Sequence, residues 1–383
     1  MKVILDNPDY TKNYIENLMK FRGVDDFNHF LNPTDNDLED QSNFDNILAA
    51  AERLKHTIEA NGKILIIVDS DCDGFTSSAI IYQYIKLLRP EIEIDYILHS
   101  GKQHGLEDHI DKLINKGHVY DLIILPDSSS NDYIYHNRLK EINSFCLILD
   151  HHEVDDNNFS DNAIIVNNQL SKNYKNKELT GAGVTYQFCK FLDKFLGVKF
   201  ADKFIDIAAL GIIGDMGSVL DIENRYIIEK GIHYPTESFL LNTFYDKQAY
   251  SITGDSAPSN FKFNEKLTPT AIAFYIVPLI NAMIRIGTDE EKERLFEGFI
   301  NGEKLIPSKK RGAKGQLEKV AVETVRECTN AKNRQNKAKE EAVERLEIKI
   351  HKYGLLENKI LFIRLDDEDN FPPELNGSII LAL

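Results

Sequence analysis

The sequence contains no tryptophan and only four cysteines, Cys72, Cys146, Cys189 and Cys328. The cysteines lie far apart, in no C-x-x-C or Cys/His spacing, which disfavours a disulfide framework and a structural zinc site and fits a reducing cytoplasm best. The missing tryptophan, with abundant Asn, Lys and Ile, fits an AT-rich genome and carries no functional information. No unbroken apolar run of about 18 residues stands out, and the N-terminus MKVILDNPDYTKNYIENL lacks a basic segment followed by an apolar core, so neither a membrane span nor export is expected. Positive charge is also short: 45 Lys and Arg stand against 61 Asp and Glu, a net charge of -16. That argues against a general polyanion-binding surface, because non-specific nucleic-acid affinity comes from basic side chains neutralising phosphates. The objection weakens where bound cations carry the positive charge, since carboxylates gathered to hold them count as negative in the formal sum. No G-x-S-x-G, H-E-x-x-H or P-loop occurs, so the hydrolase and nucleotidase classes built on them gain no support.

What is present has a clear texture. The 383 residues leave room for two or three domains. Residues 1–62 read as a lead-in of small helices, TKNYIENLMKFRGV and FDNILAAAERLKHTIEANG, with apolar residues at helical spacing. From Lys63, short apolar runs alternate with polar or helical stretches: ILIIV (64–68), IDYIL (94–98), DLIILP (121–126), FCLIL (145–149) and AIIV (163–166). Continuous Ile/Leu/Val runs separated by crossover lengths predict a parallel sheet buried on both faces. The segment FIDIAALGIIGDMGSVLD reads as a buried helix ending in a glycine-rich turn at 211–217, and TAIAFYIVPLINAMIRIG and DEEKERLFEGFI read as helical. A basic loop, PSKKRGAKG (307–315), precedes a long charged helix over 316–353 that is expected to bridge domains. The expected class is therefore α/β: a parallel-sheet domain flanked by helices (63–235), a helical extension (236–315), a connecting helix (316–353), and the start of an incomplete second α/β domain (354–383).

Ligand sites in open parallel sheets lie beyond the carboxyl ends of the strands. The run at 64–68 ends in Asp69, followed by Asp71 and Asp73; that at 121–126 ends in Asp127; that at 145–149 ends in Asp150, His151 and His152. Asp215 follows another apolar stretch. A sharp turn at Gly74 is expected to bring Asp71 and Asp73 to one site. Like charges so close are unfavourable unless cations neutralise them or one carboxylate stays protonated. Mixed Asp/His ligation without thiolate suits Mn, Mg, Fe or Zn, and its carboxylate richness favours the harder ions. One ion could not use all of these groups, whereas two could, with one Asp bridging. Paired divalent ions about 3.5 to 4 Å apart are the usual device for phosphoester hydrolysis. His152, aimed differently from its neighbour, is left to contact phosphate or protonate a leaving group.

Each feature alone has a plainer reading. An Asp-x-Asp is more often a turn or a helix cap, Asp127 before SSSNDY could cap the next helix, and adjacent histidines are usually surface residues. Their joint arrival at the strand ends of one sheet favours metal. In TGAGVTY (180–186) a dinucleotide fingerprint would need a third glycine at Tyr186, so Gly181 and Gly183 read as a tight turn that at most touches a phosphate. The basic loop is either a nucleic-acid contact or a solvated linker. Arg285, on an otherwise apolar helix, is either a buried salt-bridge partner or a phosphate ligand, and the residues alone do not separate the two.

VDSDCDGFTSS, LPDSSS, LDHHEVD and GIIGDMGSVLD are similar, in order and spacing, to the four successive motifs of the DHH phosphoesterase superfamily. The lead-in from FRGVDDF to GKILI, with AIIVNNQL, LTGAGVTYQF, ENRYIIEKGI and IVPLINAMIRIG, resembles one branch of it, the RecJ single-strand-specific 5′ to 3′ exonucleases, from about Leu18 to the end. The resemblance implies two Mn²⁺ or Mg²⁺ ions held by Asp71, Asp73, Asp127, His151 and Asp215, with Asp127 bridging and Asp69 a ligand or a close neighbour of one. It implies that Asp150 orients a neighbour, that His152 faces the scissile phosphate, and that Arg285, His104 and Ser77 lie on the substrate side. It further implies release of 5′-mononucleotides from single-stranded DNA, with RNA as the alternative strand, by a cytoplasmic monomer active in repair or recombination, with partners recruited through the C-terminal helix.

Three departures from the family pattern stand out. Asp127-Ser128-Ser129 replaces the usual Asp-Cys-Gly, QHGL carries His104 in place of an aromatic residue, and the chain stops inside the expected DHH-associated domain, before an OB-fold. Alternatives are a phosphodiesterase of short oligonucleotides or cyclic dinucleotides, disfavoured by the RecJ-like lead-in, and a non-catalytic scaffold, disfavoured because every motif carboxylate and both histidines are present. Inorganic pyrophosphatase fits less well, since its first motif begins with histidine near the place of Ile67.

Overall fold

The apolar runs of residues 64–167 become five parallel strands because their side chains have two hydrophobic layers to fill. The computed structural model describes residues 14–99, 104–155, 160–254 and 260–357, with Leu361 and Ile363. Helices α1 (Tyr14–Phe21), α2 (Phe27–Leu31) and α3 (Ile47–Glu59) precede strand β1 (Ile64–Val68). There follow α4 (Cys72–Leu88), β2 (Ile94–Leu98), α5 (Glu107–Lys116), β3 (Leu122–Pro126), α6 (Tyr133–Arg138), β4 (Phe145–Asp150) and β5 (Ala163–Asn167). The sheet order is β2-β1-β3-β4-β5, with every neighbouring pair parallel.

Alternate residues of each strand face opposite layers. Ile64, Ile66, Val68, Leu122, Ile124, Leu147 and Leu149 join one core, and Leu65, Ile67, Ile123, Leu125, Cys146 and Ile148 join the other, with Leu106, Ile110, Leu113 and Leu139 from the α5 and α6 side. The first core is completed by α3, α4, and by α7 (Gly181–Leu196) and α8 (Ile205–Gly214). β1 and β3 are buried at every residue, which is why neither alternates with polar side chains. From β1 the chain order runs to β2 on one side and to β3 on the other, so the crevice of the sheet opens at the carboxyl ends of β1 and β3. Ile66 pairs with Ile124 and Pro126 with Leu149, so the residues that leave β1, β3 and β4 emerge on one rim.

The remaining helices are α9 (Ile222–Gly231), α10 (Phe239–Thr253), α11 (Asn260–Lys266), α12 (Pro269–Tyr275), α13 (Val277–Ile286) and α14 (Asp289–Asn301). The segment expected as one helix around TAIAFYIVPLINAMIRIG is two, divided at Ile276 (φ -107, ψ -59) where Pro278 withholds a backbone donor. Residues 269–286 together are apolar enough and long enough to cross a membrane, contrary to the sequence expectation, yet half of that stretch is buried inside the protein. Phe296 of α14 packs against Phe75 and Tyr82 of α4 and, at 4.6 Å between ring centres, Tyr96 of β2, covering the edge of the sheet. The basic loop joins strands β6 (Leu305–Pro307) and β7 (Leu317–Lys319), which pair antiparallel. The long helix α15 (Val320–Lys352) therefore starts after Lys319 and not at 316, because Leu317–Lys319 are committed to the hairpin.

One continuous apolar core runs from Phe44 to Ala331, shared by the lead-in, the sheet and the later helices. Buried Glu223 pins the lead-in to it: its carboxylate accepts from Tyr174 Oη, Asn176 Nδ2, the Glu39 amide and Gln187 Nε2. All four cysteines are buried and unpaired. Most of the expected second α/β domain, 354–383, lies outside the described residues.

Candidate metal centre

The aspartates after β1 are separated by the start of α4. Asp71 is its N-cap, its Oδ1 accepting from Gly74 N at 3.0 Å, and Asp73 sits in the first turn. No sharp turn occurs at Gly74. The helix begins at Cys72, and Gly74 is needed there because a Cβ would stand 2.5 Å from Asp69 Cβ. Asp127 does not cap the next helix. That role falls near Asp132, while Asp127 takes a left-handed φ of 65° and donates its amide to Leu149 O across the strand ends.

The side chains converge into overlapping sets whose ligand atoms lie within 4.8 Å of one another: Asp69, Asp71 and Asp127; Asp73, His151 and Asp215; and Asp127 with Asp150, His151 and His152. Asp71 and Asp73 thus fall into different sets, and Asp127 lies between them, its Oδ1 3.2 Å from His151 Nε2, which is also 3.7 Å from Asp215 Oδ2. Asp69 Oδ1 is buried without a hydrogen-bond partner, and Asp127 Oδ1 accepts no hydrogen bond and has only the His151 ring beside it. Buried carboxylate oxygens left without donors are costly in an apolar setting, and a hard divalent cation is the partner their chemistry fits. Burial, then the neighbouring negative charges, raise the carboxyls of Asp73 and Asp127, and bring Asp215 to about 6. A cation would reverse that balance by favouring the ionised forms.

The rest of the site is bracing. Asp73 is gripped by the N-terminus of α7: Gly181 N donates to Oδ2 at 2.7 Å, and Ala182 N and Thr180 Oγ1 donate to Oδ1 at 3.0 Å. The TGAG segment thus binds an anion as a helix N-terminus does, but the anion is the protein's own carboxylate and not a phosphate. A Cβ at Gly181 would stand 2.3 Å from Asp127 Oδ1, and one at Gly211 2.6 Å from Asp73 Oδ1, so both glycines make room for the cluster. Sequence reasoning missed Thr180, Gly181 and Gly211 as supports; a glycine beside a helix start was the available signal.

Asp150 is fully buried, accepting from His152 Nδ1 at 2.7 Å, Ser130 N at 3.0 Å and His151 N at 2.7 Å. Burial opposes its charge, but these bonds win and hold its carboxyl well below the usual range. Its carboxylate is spent on its own neighbours, the His152 ring among them. Its bond to His152, against the cost of burial, raises that imidazole to about 9 and commits Nδ1, leaving Nε2 for other contacts. His104 Nδ1 bonds Asp69 Oδ2 at 2.7 Å with its ring largely exposed. A cleft of about 320 Å³ opens here between His104, His152, Asp127 and the backbone turn at Ser128–Asn131.

Of the expected substrate residues, Ser77 is placed otherwise and Arg285 lies at the surface. Ser77 is fully buried and donates to the Asp73 carbonyl at 2.7 Å, which turns its hydroxyl back onto its own helix. Arg285 is exposed on the last turn of α13, so it is not a buried ion-pair partner, and its charge is near enough to Lys332 of α15 to help, after burial, to lower that ammonium's pKa.

Residues 63–212 match the family model of the DHH family, N-terminal domain. YorK of Bacillus subtilis strain 168, an SPbeta prophage-derived protein provisionally named as a single-strand DNA-specific exonuclease, is 35% identical over 369 residues, which cover 95% of this chain and 60% of that protein. The single-stranded-DNA-specific exonuclease RecJ of the same organism is 29% identical over 258 residues, 67% of this chain and 31% of RecJ. This chain thus spans about 60% or less of the length of these relatives. Among solved structures, RecJ from Thermus thermophilus in complex with Mn²⁺ superposes with a TM-score of 0.65 at 20% identity, covering 85% of this chain and 43% of that one. The same protein in complex with Mg²⁺ gives 0.55. At that identity the likeness carries the fold.

Proposed function

From the match of residues 63–212 to the DHH family, N-terminal domain, we propose that the chain is a two-metal phosphodiesterase acting as a RecJ-like exonuclease on single-stranded DNA. The observation that carries the reading is the convergence of buried carboxylates with unpaired oxygens at the ends of β1 and β3, beside the histidines that follow β4. In this reading Asp69, Asp71 and Asp127 would hold one divalent cation and Asp73, His151 and Asp215 the other, with Asp127 shared between them. Mn²⁺ or Mg²⁺ suits this donor set. Such cations supply neutralisation of the phosphate charge and acidification of the attacking water.

The chain's own residues do the rest. The N-terminus of α7 fixes Asp73, and Asp150 fixes the ring of His152 so that its Nε2 can donate to a phosphate oxygen or to the departing oxygen. His104, which lines the cleft and is largely exposed, is the side chain that an entering strand would meet. Arg285 with Lys332 offers positive charge to phosphates further along. Residues 63–235 are the catalytic unit and 236–315 its extension. Repair or recombination is the process that such an activity serves.

The test is degradation of 5′-labelled and 3′-labelled single-stranded oligonucleotides with Mn²⁺, beside a duplex and a cyclic dinucleotide. Release of 5′-mononucleotides from single strands alone is expected, and Asp127→Ala should lower turnover at least about a thousandfold. Near wild-type turnover in that variant would sink the two-metal assignment, and preference for the cyclic substrate would move the protein to another branch.

A further inference from the structure

Helix α8 ends in a hydrogen-bonding pattern that ordinarily calls for glycine. Asp215 is its C-cap, Met216 N donates to Ile213 O at 3.2 Å, and Gly217 N donates to Ile212 O at 2.8 Å. These are the two bonds of a Schellman motif, whose left-handed residue is most often glycine. Here that residue is Met216, with φ of 61°. The glycine of the turn stands one place later for a different reason: a Cβ at 217 would meet Ile212 Cγ2 and Thr180 Cγ2 at 2.9 Å.

Met216 therefore bears two costs at once. A side chain with a Cβ is strained at this φ, and its apolar surface is left in water, for the residue is 89% exposed. Nothing in the fold is gained by it, since so exposed a side chain packs against little. Single exposed apolar residues are ordinary, but this one adjoins Asp215 of the carboxylate cluster, and Val219 and Leu220 of the following turn are also exposed. An unpacked apolar side chain beside a set of carboxylates has no use in holding cations. Consecutive Cα atoms are about 3.8 Å apart, so a long side chain at 216 can reach a group attached to whatever Asp215 helps to hold.

We propose that Met216 is a substrate-contacting residue, whose thioether arm lies against the face of a nucleobase flanking the scissile phosphate. The proposal rests on the reading of the site as one that takes a nucleic-acid strand. A polarisable, unbranched side chain suits a flat ring of any base, so the contact adds affinity without sequence preference. The turn makes this contact possible: a left-handed residue redirects the chain straight after the helix cap, and glycine there would supply the bend but no arm.

The test compares the full chain with Met216→Ala and Met216→Gly on two strands, one ordinary and one lacking the bases at the terminal nucleotides, with Mn²⁺. On the ordinary strand KM should rise roughly two- to tenfold, the range of sulfur–aromatic contacts, with a smaller change in kcat. On the abasic strand KM should not move. Because glycine is at ease at this φ, Met216→Gly should melt no lower than the parent, so a weaker KM cannot be ascribed to lost folding. An unchanged KM on the ordinary strand, or an equal rise on both strands, would overturn the proposal. If the chain cleaves neither strand, the functional reading fails separately, and the contact is then decided by fluorescence-anisotropy binding of the two strands with Mn²⁺. A preference for the ordinary strand that disappears in Met216→Ala would support the contact, and equal affinity of the parent for both would overturn it.

Discussion

His152 is committed at one ring nitrogen and free at the other, and this division separates its role from that of His151. His151 Nε2 points between Asp127 and Asp215, whereas His152 is tied through Nδ1 to Asp150. His152→Ala should leave bound Mn²⁺ unchanged by elemental analysis while kcat falls by about a hundredfold to a thousandfold; loss of metal instead would mean that the two histidines have exchanged roles. At this scale the cluster was legible because each member follows an apolar run, so a strand reading is also a reading of position. Ser77 was misplaced for a physical reason: motif membership does not say which way a helical hydroxyl turns, and a buried serine satisfies itself on a carbonyl of the preceding turn. Met216 drew no notice in the sequence because its left-handed backbone and exposure arise only from the turn it occupies.

At the scale of elements, α7 matters most through its first turn. That turn holds Asp73 with two backbone amides and the Thr180 hydroxyl, and stands close against Asp127. Gly181→Ala should therefore displace Asp127 and weaken Mn²⁺ binding roughly tenfold to a hundredfold, as loss of the groups supporting metal ligands commonly does. Calorimetric titration with Mn²⁺ checks this, with far-ultraviolet circular dichroism confirming an intact helix content. An affinity equal to the parent's would show that Asp127 has slack to move. The strands were readable almost to the residue, since unbroken Ile/Leu/Val runs have few other homes. The division at Ile276 and the start of α15 were not: a proline within an apolar helical pattern leaves the break unplaced by a residue or two, and Leu317–Lys319 join a strand only because Leu305–Pro307 lie opposite.

For the molecule as a whole, a net charge of -16 opposes any polyanion. Filled metal sites would change the sign of the local field at the rim while leaving the remainder acidic. Single-stranded DNA should thus bind at least about tenfold more weakly in EDTA than with Ca²⁺, a hard cation used in place of Mn²⁺ so that turnover does not obscure binding. Fluorescence anisotropy at fixed ionic strength measures this, and equal affinity in both conditions would place DNA binding away from the carboxylate rim. The cysteines add a further property of the whole. They lie in α4, β4, α7 and α15, and burial pushes every thiol above its usual range. In the closed fold each is shielded and largely unionised, so a thiol reagent must wait for an opening of the layer that contains it. The four thiols act as reporters distributed over the two layers of the core, Cys146 on one face of the sheet and the other three on the opposite side, and the order in which they are labelled records which part of the protein comes apart first.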